Sequence, residues 1–193
     1  MSDPPAGRFL RLAGRAVLAD GSSLLWSVAE GRRGRRWRAA SRQGGSLTHV
    51  LLLEVGTDGR LGRLELTTPA GLLTLHPEPD EASIQGNVVA ADGVRPLAFA
   101  WSTEHAIDVV GRPIAAAAML HRLARSLAVG SARDVPILSI ESDLSVHSGQ
   151  RRVAREAEGV WRISGDRGEL TLRLAPEGVP ELEGDSGVWP LED

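Results

Sequence analysis

The chain has 193 residues, no cysteine, and a formal charge of −3 from 22 basic and 25 acidic residues. Without thiols there can be no disulfide, cysteine nucleophile or cysteine-ligated zinc. The near-balanced charge gives no global pull toward nucleic acid or an anionic membrane, although a local patch could.

Every basic residue is arginine, and tyrosine is absent. The opening MSDPPAGRF has no basic region followed by an apolar core, and no run approaches the roughly 20 apolar residues of a membrane-spanning helix. The expectation is a soluble, cytoplasmic chain, one domain over 1–193, with a short tail (1–7) and an extended C-terminal segment (175–193) carrying Val188-Trp189.

In chain order, Phe9 to Leu12 and Arg15 to Leu18 read as short strands around Gly14, and Leu24 to Val28 as a third that carries Trp26. A basic segment follows, with Arg32, Arg33, Arg35, Arg36, Arg38 and Arg42 around Trp37. If it is extended, Arg36 and Arg38 share one face and Arg35, Trp37 and Ala39 the other. That pattern reads either as an Arg face beside an exposed indole that holds an anionic or sugar head group, or as a solvated Gly31–Gly34 hairpin with Trp37 in the core. Leu47 to Val55, the turn Thr57-Asp58-Gly59-Arg60, Leu61 to Thr68, Leu72 to His76, Ile84 to Ala90 and Leu97 to Trp101 then make a meander. Ala106 to Val109 leads into a different pattern.

Gly111 to Leu127, GRPIAAAAMLHRLARSL, is the one convincing amphipathic helix. Pro113 suits a first turn, the alanines have the highest helix propensity, and Gly130 is a candidate stop. Ala116, Leu120, Leu123 and Leu127 form an apolar stripe, with His121, Arg122 and Arg125 on another face. Val135 to Ile140, Leu144 to His147, Arg151 to Arg155, Val160 to Ile163 and Glu169 to Leu174 read as further strands. The whole predicts a mainly β fold: a strongly curved antiparallel sheet, or half-barrel, of roughly ten or eleven strands, with one helix near 113–128 in or on its concave side.

Chemistry motifs are missing. There is no glycine-rich nucleotide loop and no hydrolase elbow, and His49, His76, His105, His121 and His147 show no metal-ligand spacing. No cofactor, metal, catalytic residue or nucleic-acid partner is predicted. An enzyme would require His121 or His76 within reach of a buried carboxylate.

Pro113-Ile114-Ala115-Ala116-Ala117-Ala118-Met119-Leu120-His121-Arg122-Leu123 resembles the hallmark of a bacterial glycolipid-binding family, in which Thr-Pro, Thr-Asn, Leu-Pro-Ile and Arg-Arg-Leu come at this spacing. Pro113, Arg122 and Leu123 match outright and Ile114 and Leu120 in kind. Ala115-Ala116 stand at the family's Thr-Asn, Met119 at its second Pro and His121 at its first Arg. The flanks are similar too: Leu25-Trp26-Ser27-Val28, Arg36-Trp37-Arg38, Ala106-Ile107-Asp108-Val109, Asp134-Val135-Pro136, Leu144-Ser145-Val146, Gln150-Arg151 and Gly178-Val179-Pro180. The resemblance implies a half-barrel like that of lipoprotein carriers, which hold lipid in the concave face. The expectation is therefore non-catalytic binding of a lipid or glycolipid-like ligand by Trp26, Arg36, Trp37, Arg38, Trp101, Arg112, His121, Arg122, Gln150 and Arg151. The alternative is a structural or partner-binding domain whose groove is filled by its own side chains. The oligomeric state is open.

Overall fold

The computed structural model describes residues 10–166, 168–182 and 188–190, the last three as backbone only. The predicted tail at 1–7 lies outside the described residues, as do 183–187 and 191–193 of the C-terminal segment. Strands β1 (Arg11–Val17), β2 (Ser23–Gly31), β3 (Gly34–Gln43), β4 (Ser46–Val55), β5 (Leu61–Thr68), β6 (Gly71–Pro77), β7 (Ser83–Ala90) and β8 (Gly93–Ala100) come first. Then follow β9 (Ala106–Val109), α1 (Pro113–Leu123), β10 (Ala132–Ile140), β11 (Val146–Ala157), β12 (Val160–Gly165), β13 (Gly168–Leu174), β14 (Pro180–Glu181) and β15 (Val188–Pro190).

The mainly β class with one helix is as expected, but among the described residues the strands number fifteen and form two sheets. Sheet A is the antiparallel meander β1 to β8, with β15 added along β1 through Ala13 opposite Trp189. Sheet B, a curled half-barrel, has the order β14-β13-β12-β11-β10-β9, and β9 pairs with β10 in parallel. Parallel neighbours need a long crossover. Here α1 supplies it, so the helix is tied by its own connectivity to the inner side of sheet B.

Two mergers account for part of the difference from the expected strands. Gly14 does not break the N-terminal strand, because Trp26 of β2 lies opposite it and its indole occupies the space a side chain would need. Likewise β11 runs unbroken through Gly149, and Leu144 turns the chain with a positive φ of 66° while its side chain stays buried.

The helix is enclosed rather than amphipathic. Ile114 to Leu120 are all buried, as is Leu123, and α1 touches β3 of one sheet and β9, β13 and β14 of the other. Four successive alanines, Ala115 to Ala118, all buried, put almost no side chain between the helix backbone and the two walls, which lets both sheets approach it closely. The helix ends at Leu123 rather than near 128, continuing only as turns. Ala124 and Leu127 direct their carbonyls to the Arg155 guanidinium at 3.2 and 2.9 Å, a charge placed well for a helix C-terminus.

Candidate functional site

Space beneath the helix is small. The cavity between α1 and sheet A, lined by Leu53, Val55, Ala115, Ala118, Met119 and neighbours, holds about 30 Å3, on the scale of a single water. Larger space lies elsewhere: a shallow cleft of about 440 Å3 over β10, β11 and β12, and a further region where the helix C-terminus meets the ends of β3, β4 and β13. There, two clefts flank one wall.

The wall is built on Arg35. The β3 alternation that leaves Arg36 and Arg38 outside turns Arg35, Trp37 and Ala39 inward, where all three are buried. Arg35 donates from Nη2 to Glu30 (2.8 Å) and from Nη1 to the Glu177 carbonyl (2.9 Å), and its guanidinium lies 5.6 Å from the centre of the Trp37 ring. One side chain thereby ties sheet A to the loop that follows β13. Gly178 of that loop lies directly against the His121 imidazole.

On one side of the wall, a cleft of about 510 Å3 is lined by His121, Arg125, Arg155, Arg173 and Leu174, with the carboxylates Glu158 and Glu181 on Arg155 and Arg173 respectively. Burial, with Arg35 and Arg125 close by and only Glu30 opposing, holds the His121 pKa down to about 4, so the ring is neutral at neutral pH. Arg125 donates to the Thr57 carbonyl at 2.6 Å, and Arg155 pairs with Glu158 and lies over Trp161, 5.3 Å from the ring centre. On the other side, a cleft of about 480 Å3 is bordered by Arg11, Arg32, Arg33, Arg35 and Arg36, with Glu30 and Glu54. Burial works against Glu30, but its hydrogen bond to Arg35 dominates and keeps it below the usual carboxylate range. This end of the molecule thus gathers arginines from both sheets around the negative end of the helix dipole.

The ten residues expected at a site fall in several separate places. Trp26 and Trp37 are core residues of sheet A, so the solvated-hairpin alternative describes Gly31–Gly34, while Arg36 (paired with Glu54 at 2.7 Å) and Arg38 stand on the outer face. Trp101 stacks on His105 at 5.1 Å. Arg122 is committed to the chain itself, donating to the carbonyls of Thr103, Glu104 and His105 at 2.9 to 3.1 Å. Arg112 is at the opposite end of the helix, 3.5 Å from Asp20. Gln150 is exposed, and Arg151 is buried, bonded to Asp108 and Asp166. Only His121 and Arg36 border the clefts, and they are on different sides of the wall. Helical spacing already places Arg125 on one face with His121, but Arg155 and Arg173 come from β11 and β13, and no spacing in the sequence announces their convergence on it.

Among the described residues no group of three or more His, Cys, Asp or Glu could hold a metal, and no helix is long and apolar enough to cross a membrane. His76 lies 3.6 Å from Glu78, both solvent-accessible. His105 Nδ1 accepts from the Ser102 amide at 3.1 Å, with the Ser102 hydroxyl at 2.8 Å.

No protein-family model matches the chain, and no curated protein matches it. Among solved structures it is similar to a DUF1089 family protein from Pseudomonas aeruginosa. The likeness has a TM-score of 0.53 at 17% identity and covers 93% of this chain and 92% of that one. It is a likeness of fold, a curved β-sheet architecture shared over nearly the whole length.

Proposed function

We propose that this protein is a non-catalytic binder of an anionic amphipathic molecule, lipid or glycolipid-like, held at the arginine-rich end of the sandwich. The observation that carries the reading is the contrast in space: about 30 Å3 beneath the helix, against about 510 Å3 beside His121. The larger cleft has the character of a ligand site, an apolar wall (Leu174, Ala175, Pro176) with a few placed polar groups. Arg173, 67% exposed and only 3.6 Å from Glu181, is the guanidinium most open to an acidic head group, while Arg125 and Arg155 spend donors on the Thr57, Ala124 and Leu127 carbonyls, and the neutral His121 can donate or accept a hydrogen bond to a sugar hydroxyl. The likeness of Pro113–Leu123 to a glycolipid-binding hallmark supports the ligand class. The site proposed here differs from the one that resemblance implies, because Ala115 to Ala118 and their neighbours already fill the concave face.

The test is a melting-temperature series with dodecyl phosphate, dodecyl maltoside and inorganic phosphate, together with lipid extraction of the purified protein. Dodecyl phosphate should raise the melting temperature and inorganic phosphate should not. The Arg173→Ser variant should reduce the shift by removing a head-group partner; Arg173 is 67% exposed and its ion pair with the 54% exposed Glu181 is worth little to stability. A protein free of lipid whose melting temperature no amphiphile moves would defeat the proposal. The same 30 Å3 cavity favours a second reading, a partner-binding domain with a self-filled groove, and that outcome would leave it standing.

A further inference from the structure

The outer face of sheet A carries a lateral apolar row that chain order conceals. Leu25 of β2 is opposite Ala40 of β3, and Ala40 is opposite Val50 of β4. The line continues through Thr67 to Leu72, then to Val89 and finally Val94 of β8. Every one of these positions points away from the core. Leu25 is 57% exposed, Val50 38%, Val89 46% and Val94 66%; with the half-buried Ala40 and Leu72 these residues line up across seven consecutive strands, interrupted on β5 by the polar Thr67. At the usual strand spacing the row is about 29 Å long.

Within the strands of this face the charges have one sign left over, while the exposed Asp92 sits in the β7–β8 turn beside the Val89–Val94 end of the row. The outward positions of β1 to β8 include two carboxylates, Glu54 and Glu65, and each is already paired, with Arg36 and Arg63 respectively. Arg38 and Arg42 flank the row on β3, one residue pair to either side, and neither has an acidic partner among the described residues. An apolar strip bordered by unneutralised guanidinium groups matches the layered chemistry of an anionic bilayer surface, with acyl carbon at depth and phosphate above.

Other occupants fit less well. A strip about 29 Å by roughly 10 Å offers near 300 Å2, well short of the about 800 Å2 per partner of a stable dimer. Single-stranded nucleic acid is gripped by stacking on aromatic side chains, and on β1 to β8 this face presents no Trp, Phe or Tyr. We infer that the outer face of sheet A is a docking surface for an anionic lipid bilayer, seated on the Leu25–Val94 row and held by Arg38 and Arg42.

Vesicle flotation tests this directly, using phosphatidylcholine vesicles with and without phosphatidylglycerol. The full chain should float with the anionic vesicles and not with the neutral ones, and binding should weaken as salt rises past about 0.15 M. Arg38→Glu and Arg42→Glu should each cost at least about five-fold in binding, and Val89→Asp with Val94→Asp should abolish it. Leu170→Asp, an exposed site on sheet B, should change nothing. All these positions are solvent-exposed, and matching melting temperatures would confirm that the variants fold. The inference is overturned if the protein stays at the bottom of the gradient, floats equally with neutral vesicles, or binds them regardless of the row variants. It is equally overturned if those variants release a single-stranded RNA oligonucleotide instead. None of these readouts uses the cleft beside His121, so failure here and failure of the proposed ligand site are separate results.

Discussion

Gly178 packs so closely on His121 that a Cβ at position 178 would fall inside van der Waals distance of the imidazole Nδ1. The backbone there has φ of 73°, a conformation glycine adopts without penalty. Contact and conformation together make the loop after β13 the lid of the His121 pocket wall, fastened from the other side by Arg35 on the Glu177 carbonyl. The Gly178→Ala variant should therefore lose about 2 kcal/mol, from left-handed strain plus displacement of the ring. Chemical denaturation reads the loss. An unchanged denaturation midpoint would mean that the loop gives way freely.

Two histidines make the fold acid-sensitive in a window that opens above the range in which carboxylates titrate. Burial first, and then the Arg112 charge against a weaker opposing pull from Asp20, holds His49 at about 4 instead of 6.5. His121 is held at about 4 as well. A folded-state pKa below the unfolded one means that between these values the unfolded chain binds protons the folded chain refuses, so stability rises with pH across that window. It should be complete above about pH 6.5 and fall progressively toward pH 4, by about 2 kcal/mol between pH 7 and 5 for His49 and by less for His121, which borders a solvent-filled cleft. Urea midpoints at the two pH values measure the slope, which His49→Gln should flatten. Equal slopes in wild type and variant would assign the acid sensitivity to other groups.

Arg151 illustrates why the shorter contact need not be the stronger one. It holds Asp108 through Nε and Nη2 at 3.2 and 3.0 Å, and Asp166 through Nη1 at 2.7 Å. Yet the Asp108 side chain is 21% exposed and Asp166 is 82% exposed. Arg151→Met should cost about 3 kcal/mol, because it strands a partly buried carboxylate. In double-mutant cycles the coupling to Asp108 should exceed about 1 kcal/mol and that to Asp166 should fall below it, since exposed pairs are screened. Equal couplings would show that burial does not set the difference.

Much of the fold was readable because local chemistry speaks for it. The alternation of Arg35 to Ala39 correctly divided Arg36 and Arg38 from Trp37, and turns such as Thr57-Asp58-Gly59-Arg60 lie where glycine and aspartate mark them. What failed concerned partners distant in sequence. Helical periodicity suggested one apolar stripe, but an alanine is compatible with either surface or core, and nothing in Ala115 to Ala118 reveals that two sheets press on them from different sides.

The site divides along the same line. Sequence by itself determined the class: a β-rich chain, one helix at Pro113, an unusual density of arginine, and no catalytic or metal motif, all properties of residue type and near-neighbour spacing. Tertiary structure alone decided where the arginines point. Arg122 spends its donors on the carbonyls of Thr103, Glu104 and His105, and Arg151 on Asp108 and Asp166, while Arg125, Arg155 and Arg173 converge beside His121. A guanidinium is satisfied by whichever acceptor the fold brings within about 3 Å, and no spacing along a strand or helix encodes an acceptor that lies 15 to 43 residues away.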